Sequence, residues 1–485
     1  MPDPIHEKAL TEQALRRVLE AASSYLASLD NLPAKERDAD VAALQIDGRL
    51  PESGIGTEAA INQLIESAPR SVTRSAGPRF FHFVTGGSTP AALAADWLTS
   101  TFDNMAGLWV SSPFASQLEK VSLAWLRDLF GLPSQWGGVL VTGATMANFS
   151  ALAAARQWWG ERQGADIARA GMAGLPAIPI FSGGFVHASA VKALGMLGLG
   201  YGSVRQLAGD AAGRIDLGAL DDALQSLGGA PAIVMATAGE VNAGGFDPID
   251  AMAEVAHEHN SWLHVDGAFG LYARVSPQLA HHARGIELAD SVISDAHKWL
   301  NVPYDCGFAF VREERLLHAA FGIGAPYFPE AVAGRPDYLM LGPEMSRRAR
   351  SLAVWATLAA YGRDGYRALV ERHVRLARRL ADQVEAADDF ELLEEPVLNV
   401  VCFRYRPAGV PETELDALNR RLGQAVLDDG RVYYGTTVYA GKVAFRPAVS
   451  NWRTGEADVD LILPVARELG ARLRTAVTRR ARESG

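Results

Sequence analysis

The sequence predicts an α/β fold, a mainly parallel sheet flanked by helices, with a small α+β domain at the C-terminal end. Three observations predict it. Short unbroken apolar runs, "GGVLVTG" (137–143), "AIPIFSG" (177–183), "AIVMATAG" (232–239), "SWLHVDGA" (261–268) and "DSVISD" (290–295), punctuate the middle of the chain. Strands of that kind are buried on both faces, and helical segments between them supply the cover, as in a parallel sheet. Further on, a long helical stretch (about 347–387) precedes strand-like "VLNVVCFRY" (397–405), another helix and "KVAFRPAV" (442–449), a texture that belongs to a separate, smaller domain.

The chain begins with "KALTEQALRRVLEAASSYLASL" (8–29), whose apolar residues recur at helical spacing and leave a charged face exposed. A Pro- and Gly-punctuated stretch (32–90) follows, with little surface to bury by itself. Residues 1–85 are therefore expected to form a helical arm that packs on a second subunit. The sheet domain is placed at 86–342. It ends in "FGIGAPYFPEAVAGRPDYLMLG" (321–342), which reads as a mobile loop. Residues 343–485 make the small domain. No internal repeat or low-complexity tract interrupts this order.

Composition narrows the function. With 48% hydrophobic and 21% charged residues in a chain of 485, the balance is globular with ample core. A formal charge of -10 without a basic block excludes nucleic acid as a partner. Two cysteines, Cys306 and Cys402, exclude a disulfide framework and a CxxC metal site, so no metal and a reducing cytoplasm are expected. The opening "MPDPIHEKALTEQALRRVL" lacks the layout of a signal peptide, and no uncharged stretch is long enough to cross a bilayer. A soluble protein without membrane contact is expected.

In open α/β sheets ligands sit beyond the carboxyl ends of the strands, so polar residues there are the candidates. In "VTGATMANFSALAAAR" (141–156) a strand ends in a Gly-containing turn and a helix starts at once. Free amides and the helix dipole suit a phosphate, with Thr145 adding a hydroxyl; an ordinary helix cap explains the segment as well. "WLHVDGAFG" (262–270) puts Asp266 at the end of a buried strand. A carboxylate there costs on the order of several kcal/mol unless it meets a cation or donors, although a residue that closes a turn fits too. Lys298, 32 residues later (298 − 266), follows the strand "SVISD" in "SDAHKWLNVPYDCGF" (294–308). An apolar setting disfavours the ammonium form and supplies the free amine of a Schiff base, whereas a lysine taken singly is more often solvated.

Together the three meet the needs of pyridoxal 5'-phosphate: amides for its phosphate, an anion for its ring nitrogen and a primary amine for its aldehyde. His187 in "FVHASAVKALGMLGLG" (185–200) opens a helix, where an imidazole either stacks on a flat ring or simply caps.

At these residues the chain resembles the group II pyridoxal-phosphate decarboxylases, which include aromatic amino acid and glutamate decarboxylases. "HVDGA", "DAHKWL" with "DCG" downstream, "FVHASAVKA", "ATAGEVNAGGFDPI" (236–249), "SPFASQLE" (112–119) and "GATMANFSALAAAR" carry the resemblance, over about 80–460. It implies the type I aspartate aminotransferase-like fold. It also implies Lys298 as the Schiff-base lysine, Asp266 as partner of the ring nitrogen and His187 as the stacking residue. Gly143, Ala144, Thr145, Asn148 and His297 fall on phosphate-side positions, Ala268 beneath the ring and Thr237 close to it. A loop tyrosine that reaches the neighbouring subunit's site is implied at Tyr327, 29 residues past Lys298 (327 − 298), with Tyr338 as competitor. Where many members read Gly-Thr-Thr, this chain has "GEVN", so Val241 and Asn242 replace hydroxyls.

The function expected is decarboxylation of an L-amino acid to amine and carbon dioxide by a homodimer. Trp109 and Phe114 in "NMAGLWVSSPF" (104–114) favour an aromatic substrate, or else they pack a subunit interface. Arg446 is a candidate for an acidic substrate group, or for a surface ion pair. Competing readings are an aminotransferase, a lyase, an oxidative deaminating decarboxylase that makes an aldehyde, and a non-catalytic binding module on the same fold.

Overall fold

The computed structural model describes residues 3–45, 48, 50–184, 186–210, 213–328 and 330–483, with side chains as far as residue 475. Packing divides the chain into two compact units. One comprises Met1–Thr85, Arg379–Leu393 and Cys402–Gly485; the other comprises Gly86–Arg378 and Glu394–Val401.

These units cut across the expected segments 1–85, 86–342 and 343–485. The N-terminal segment shares a unit with most of the C-terminal one, where Arg79 pairs with Asp458 at 3.0 Å and Phe81 N–H donates to Tyr433 O. Residues 343–378 belong to the sheet unit, because Ala349 and Leu352 pack against Ala95, Ala115 and Leu118. Partners this far apart in sequence leave no trace in local periodicity.

The sheet unit holds seven strands: β1 (Gly137–Val141), β2 (Ile180–Ser182), β3 (Val204–Gln206), β4 (Ile233–Thr237), β5 (Trp262–Asp266), β6 (Ser291–Asp295) and β7 (Gly307–Val311). Their order is β1-β7-β6-β5-β4-β2-β3. From β6 to β3 the neighbours are parallel, and β7 runs antiparallel between β6 and β1. All five expected runs form strands, and the mainly parallel sheet is as predicted. At the β1 edge the Leu140 N–H donates to Glu119 Oε1 at 3.0 Å and the Leu140 C=O accepts from Arg347. Glu119 and Arg347 are themselves a buried pair at 3.0 Å, so side chains satisfy an edge that would otherwise offer open backbone groups.

The other unit carries β8 (Phe390–Glu394), β9 (Cys402–Tyr405), β10 (Thr436–Tyr439) and β11 (Lys442–Phe445), ordered β10-β11-β9-β8. Its N-terminal part is helical over Thr11–Ser28, Ala39–Leu44 and Thr57–Ser71, more than the Pro/Gly texture of 32–90 announced. The long helix Ser351–Glu385 is broken at Gly362, where the backbone leaves the helical region. Among the described residues no helix is long and apolar enough to cross a membrane.

Candidate active site

Strands β4, β5 and β6 are parallel neighbours, with Thr237 beside Asp266 and Asp266 beside Ile293. Their carboxyl ends therefore bring Thr237, Asp266 and Asp295 to one rim of the sheet. Past Asp295 the chain turns tightly: the amides of Ala296 and His297 both donate to Cys306 O at 3.0 Å, and Gly86 N–H donates to His297 O. Gly86 permits this approach, since a Cβ there would lie 1.6 Å from Lys298 O.

The turn aims Lys298 inward. Its Nζ lies 3.0 Å from Asp295 Oδ2 with the side chain 16% exposed, and 6.0 Å from the centre of the Phe269 ring. The ammonium is thus ion-paired, rather than lodged in the purely apolar surroundings expected. Asp295 also accepts from Ala144 N–H at 2.5 Å, at the start of the helix Ala144–Arg162, and lies 3.4 Å from His297 Nε2. Because Cys306 N–H donates to His297 Nδ1 at 3.3 Å, the imidazole proton sits on Nε2. Burial pushes His297 below its ordinary range. Asp295 was not among the expected site residues; its place at a strand end, like that of Asp266, was the available signal.

Gly143 precedes that helix at φ 149°, and a Cβ on it would meet His297 Cε1 at 2.8 Å. A residue with a side chain would close the space beside the first turn, where Gly143, Ala144 and Thr145 leave backbone amides without intrahelical partners. Asn148, expected on the phosphate side, is one turn deeper and directs its Nδ2 to Asp266 Oδ2 at 3.0 Å instead. The other Asp266 oxygen accepts Ala268 N–H at 3.1 Å. With these donors a carboxylate only 7% exposed is tolerated.

Lys298, Asp266, His187, Thr237 and Ala268 line one cavity of about 310 Å³. His187 caps the helix Ala188–Met196, accepting Ser189 N–H at its Nδ1. The "GEVN" turn also lines the cavity, and Glu240 in it is buried. The Glu240 carboxylate receives the amides of Asn242, at 2.8 Å, and Ala243, and burial raises its proton affinity all the same. Nothing in the apolar and turn pattern had marked Glu240.

Tyr327 does not line this cavity. It is 79% exposed, its ring edge-on to Phe328 at 4.9 Å. Tyr338 is 4% exposed beneath the Arg347 guanidinium, in a separate recess with Arg127, and burial drives its phenol well above the ordinary range. Trp109 and Phe114 are outside the cavity as well; Trp109 N–H donates to Asp337, and Phe114 is exposed. Arg446 is half-buried in the other unit.

A match to the pyridoxal-dependent decarboxylase conserved domain spans residues 46–406. The chain belongs to that family. This decarboxylase is 28% identical over 438 residues to an aromatic-L-amino-acid decarboxylase of Bacillus atrophaeus, with 89% of each chain covered. It is 31% identical over 435 residues to an L-2,4-diaminobutyrate decarboxylase of Rhizobium meliloti, covering 88% of this chain and 84% of that one. Among solved structures, the Oryza sativa TDC with PLP and tryptamine superposes at a TM-score of 0.89 and 25% identity, over 98% of this chain and 100% of the other. The decarboxylase is an enzyme that uses pyridoxal 5'-phosphate on an amino acid. Its residues fit that cofactor: a reachable amine, a buried carboxylate lining the same cavity, and a helix start kept open by Gly143.

Proposed function

We propose that the decarboxylase acts as a homodimer on an aromatic L-amino acid, in the cytoplasm, with Lys298 attaching the cofactor and Tyr327 of the partner subunit supplying a proton. The observation that carries the residue roles is that Lys298 and Asp266 line the same cavity. For the substrate class, support comes from the resemblance to the aromatic-L-amino-acid decarboxylase. For the dimer, it comes from Leu15, Leu19 and Leu64, large apolar side chains that the arm leaves exposed. The two cysteines are free and buried, which suits a reducing compartment.

Bound pyridoxal phosphate supplies an electron sink for the pair released when the bond between Cα and the carboxylate breaks. The chain's own groups do the rest. Asp266, held by Asn148 and Ala268 N–H, keeps the ring nitrogen protonated. The amides at the start of the helix Ala144–Arg162 would hold the phosphate, and His187, which lines the same cavity, would offer its imidazole to the ring. Lys298 Nζ, steadied by Asp295, would be the amine that anchors the cofactor. Tyr327 Oη delivers a proton to Cα once the loop shuts out water.

Mixing chains tests the reading. Lys298→Ala and Tyr327→Phe homodimers are each inactive in amine formation, and after random exchange about a quarter of the wild-type activity returns, because one site in each hybrid is intact. No recovery would contradict action across subunits. Supplying phenylalanine, tyrosine and tryptophan beside 2,4-diaminobutyrate and glutamate tests the substrate class; faster release of carbon dioxide from either of the last two would overturn it.

A further inference from the structure

Behind Asp266 and the Asn148 that holds it lie three more buried side chains that no step above uses: His264, Ser291 and Trp262. Trp262 Nε1 is 3.0 Å from Ser291 Oγ, and Ser291 Oγ is 2.8 Å from His264 Nδ1. His264 Nε2 is 2.8 Å from Asn148 Oδ1, and Asn148 Nδ2 is 3.0 Å from Asp266 Oδ2.

The two ends of the row set its direction. An indole nitrogen only donates and an ionised carboxylate only accepts, so Ser291 Oγ accepts from Trp262, and with Asn148 Nδ2 on Asp266 and Oδ1 on His264 the imidazole takes the Ser291 proton at Nδ1. A neutral imidazole that accepts at Nδ1 carries its proton on Nε2, and Nε2 donates to the Asn148 carbonyl oxygen. With Oδ1 so engaged, Nδ2 is the Asn148 atom left to face Asp266. His264 is neutral in this setting, since burial pushes it down to about 4 against the pull of Asp266. Were the amide turned over, Oδ1 would oppose the carboxylate, acceptor against acceptor, and a proton on Asp266 would relieve the clash. A protonated Asp266 is no anion for a ring nitrogen.

We propose that His264 is a positioning residue for the cofactor, orienting Asn148 so that its N–H meets Asp266 and keeps that carboxylate ionised. The proposal rests on the reading of Asp266 as the partner of the ring nitrogen. A histidine that merely filled the core between β5 and the helix Ala144–Arg162 would affect stability without a specific link to Asn148.

The test is a mutant cycle on cofactor affinity, read by titrating pyridoxal 5'-phosphate into the full chain stripped of cofactor, with circular dichroism on the same samples. His264→Leu and Asn148→Leu each raise the dissociation constant about tenfold or more, as expected when a hydrogen bond to a charged group is broken. The double variant is no weaker than Asn148→Leu alone. His264→Gln, whose Oε1 and Nε2 reproduce the acceptor and the donor, stays within about threefold of wild type. Should His264→Leu not fold, Ser291→Ala takes its place in the cycle, because without the hydroxyl the imidazole is released to the other tautomer. Additive losses in the double variant, an unchanged constant in the single ones, or no rescue by His264→Gln would each overturn the proposal. Asp266→Asn, run in parallel, separates the two readings. An unchanged constant there removes Asp266 as the ring partner, whereas weakened binding there beside an unaffected His264→Leu removes only the role of His264.

Discussion

Lys298 and Asp295 form an ion pair of 3.0 Å in which the carboxylate is 3% exposed. Asp295 thereby joins the Lys298 ammonium to the first amide of the helix Ala144–Arg162, with His297 Nε2 3.4 Å away. Asp295→Ala takes this acceptor from the ammonium and the amide, and the expected cost is about 3 kcal/mol, read by denaturant unfolding of the cofactor-free chain. Asp295→Asn keeps one acceptor for the helix but turns an amide towards Lys298, and it should fall between the two.

Gly86 fixes the same lysine from the other side. Gly86→Ala forces its Cβ into Lys298 O, so the turn must shift. A displacement of about 1 Å at the reactive amine lowers kcat/KM about 100-fold, while the sheet, whose strand β6 ends before the turn, keeps its circular dichroism. Steady-state kinetics on folded Gly86→Ala check this.

Tyr327→Phe should slow protonation at Cα by about 10²–10⁴-fold. Carbon dioxide release falls less than amine formation, and in air-saturated solution the difference appears as aldehyde, with dissolved dioxygen taking the two electrons and ammonia leaving. Quantifying the three products in one reaction checks it; equal losses in all of them would place Tyr327 elsewhere in the cycle.

Histidine titration gives a pH dependence with a defined sign. His264 is pushed down to about 4 by burial, so between about 4 and 6.5 the unfolded chain binds more protons than the folded one. Stability is full above 6.5 and is lost as pH falls through that window. His82, lowered to about 4 by burial and by Arg446, adds to the same slope in the other unit. His264→Gln removes up to one proton from the slope, measurable as a flatter plot of unfolding free energy against pH.

What the sequence made legible was whatever burial writes locally. β5 and β6, covered on both faces, read as apolar runs, and Asp266 stood out against one of them. β3, three residues long and largely exposed, carries no such run, and β7 was not marked among the runs, although it is apolar and buried. His264 sits inside the run of β5, where a core histidine and a positioning one look alike until Asn148, 116 residues away, is found beside it. Asp295 was hidden for a similar reason, since its partners come from a helix start and a turn. The division into units depends on packing of 1–85 with the C-terminal segment, which periodicity does not record.

The central claim is that Lys298 is the amine that holds the cofactor, and it is tested most directly by borohydride reduction of the holoenzyme followed by peptide mapping. The account predicts the cofactor's mass on the peptide that contains Lys298, and no labelled peptide from Lys298→Ala. Label on another lysine, such as the exposed Lys192, or full labelling of Lys298→Ala, would contradict it.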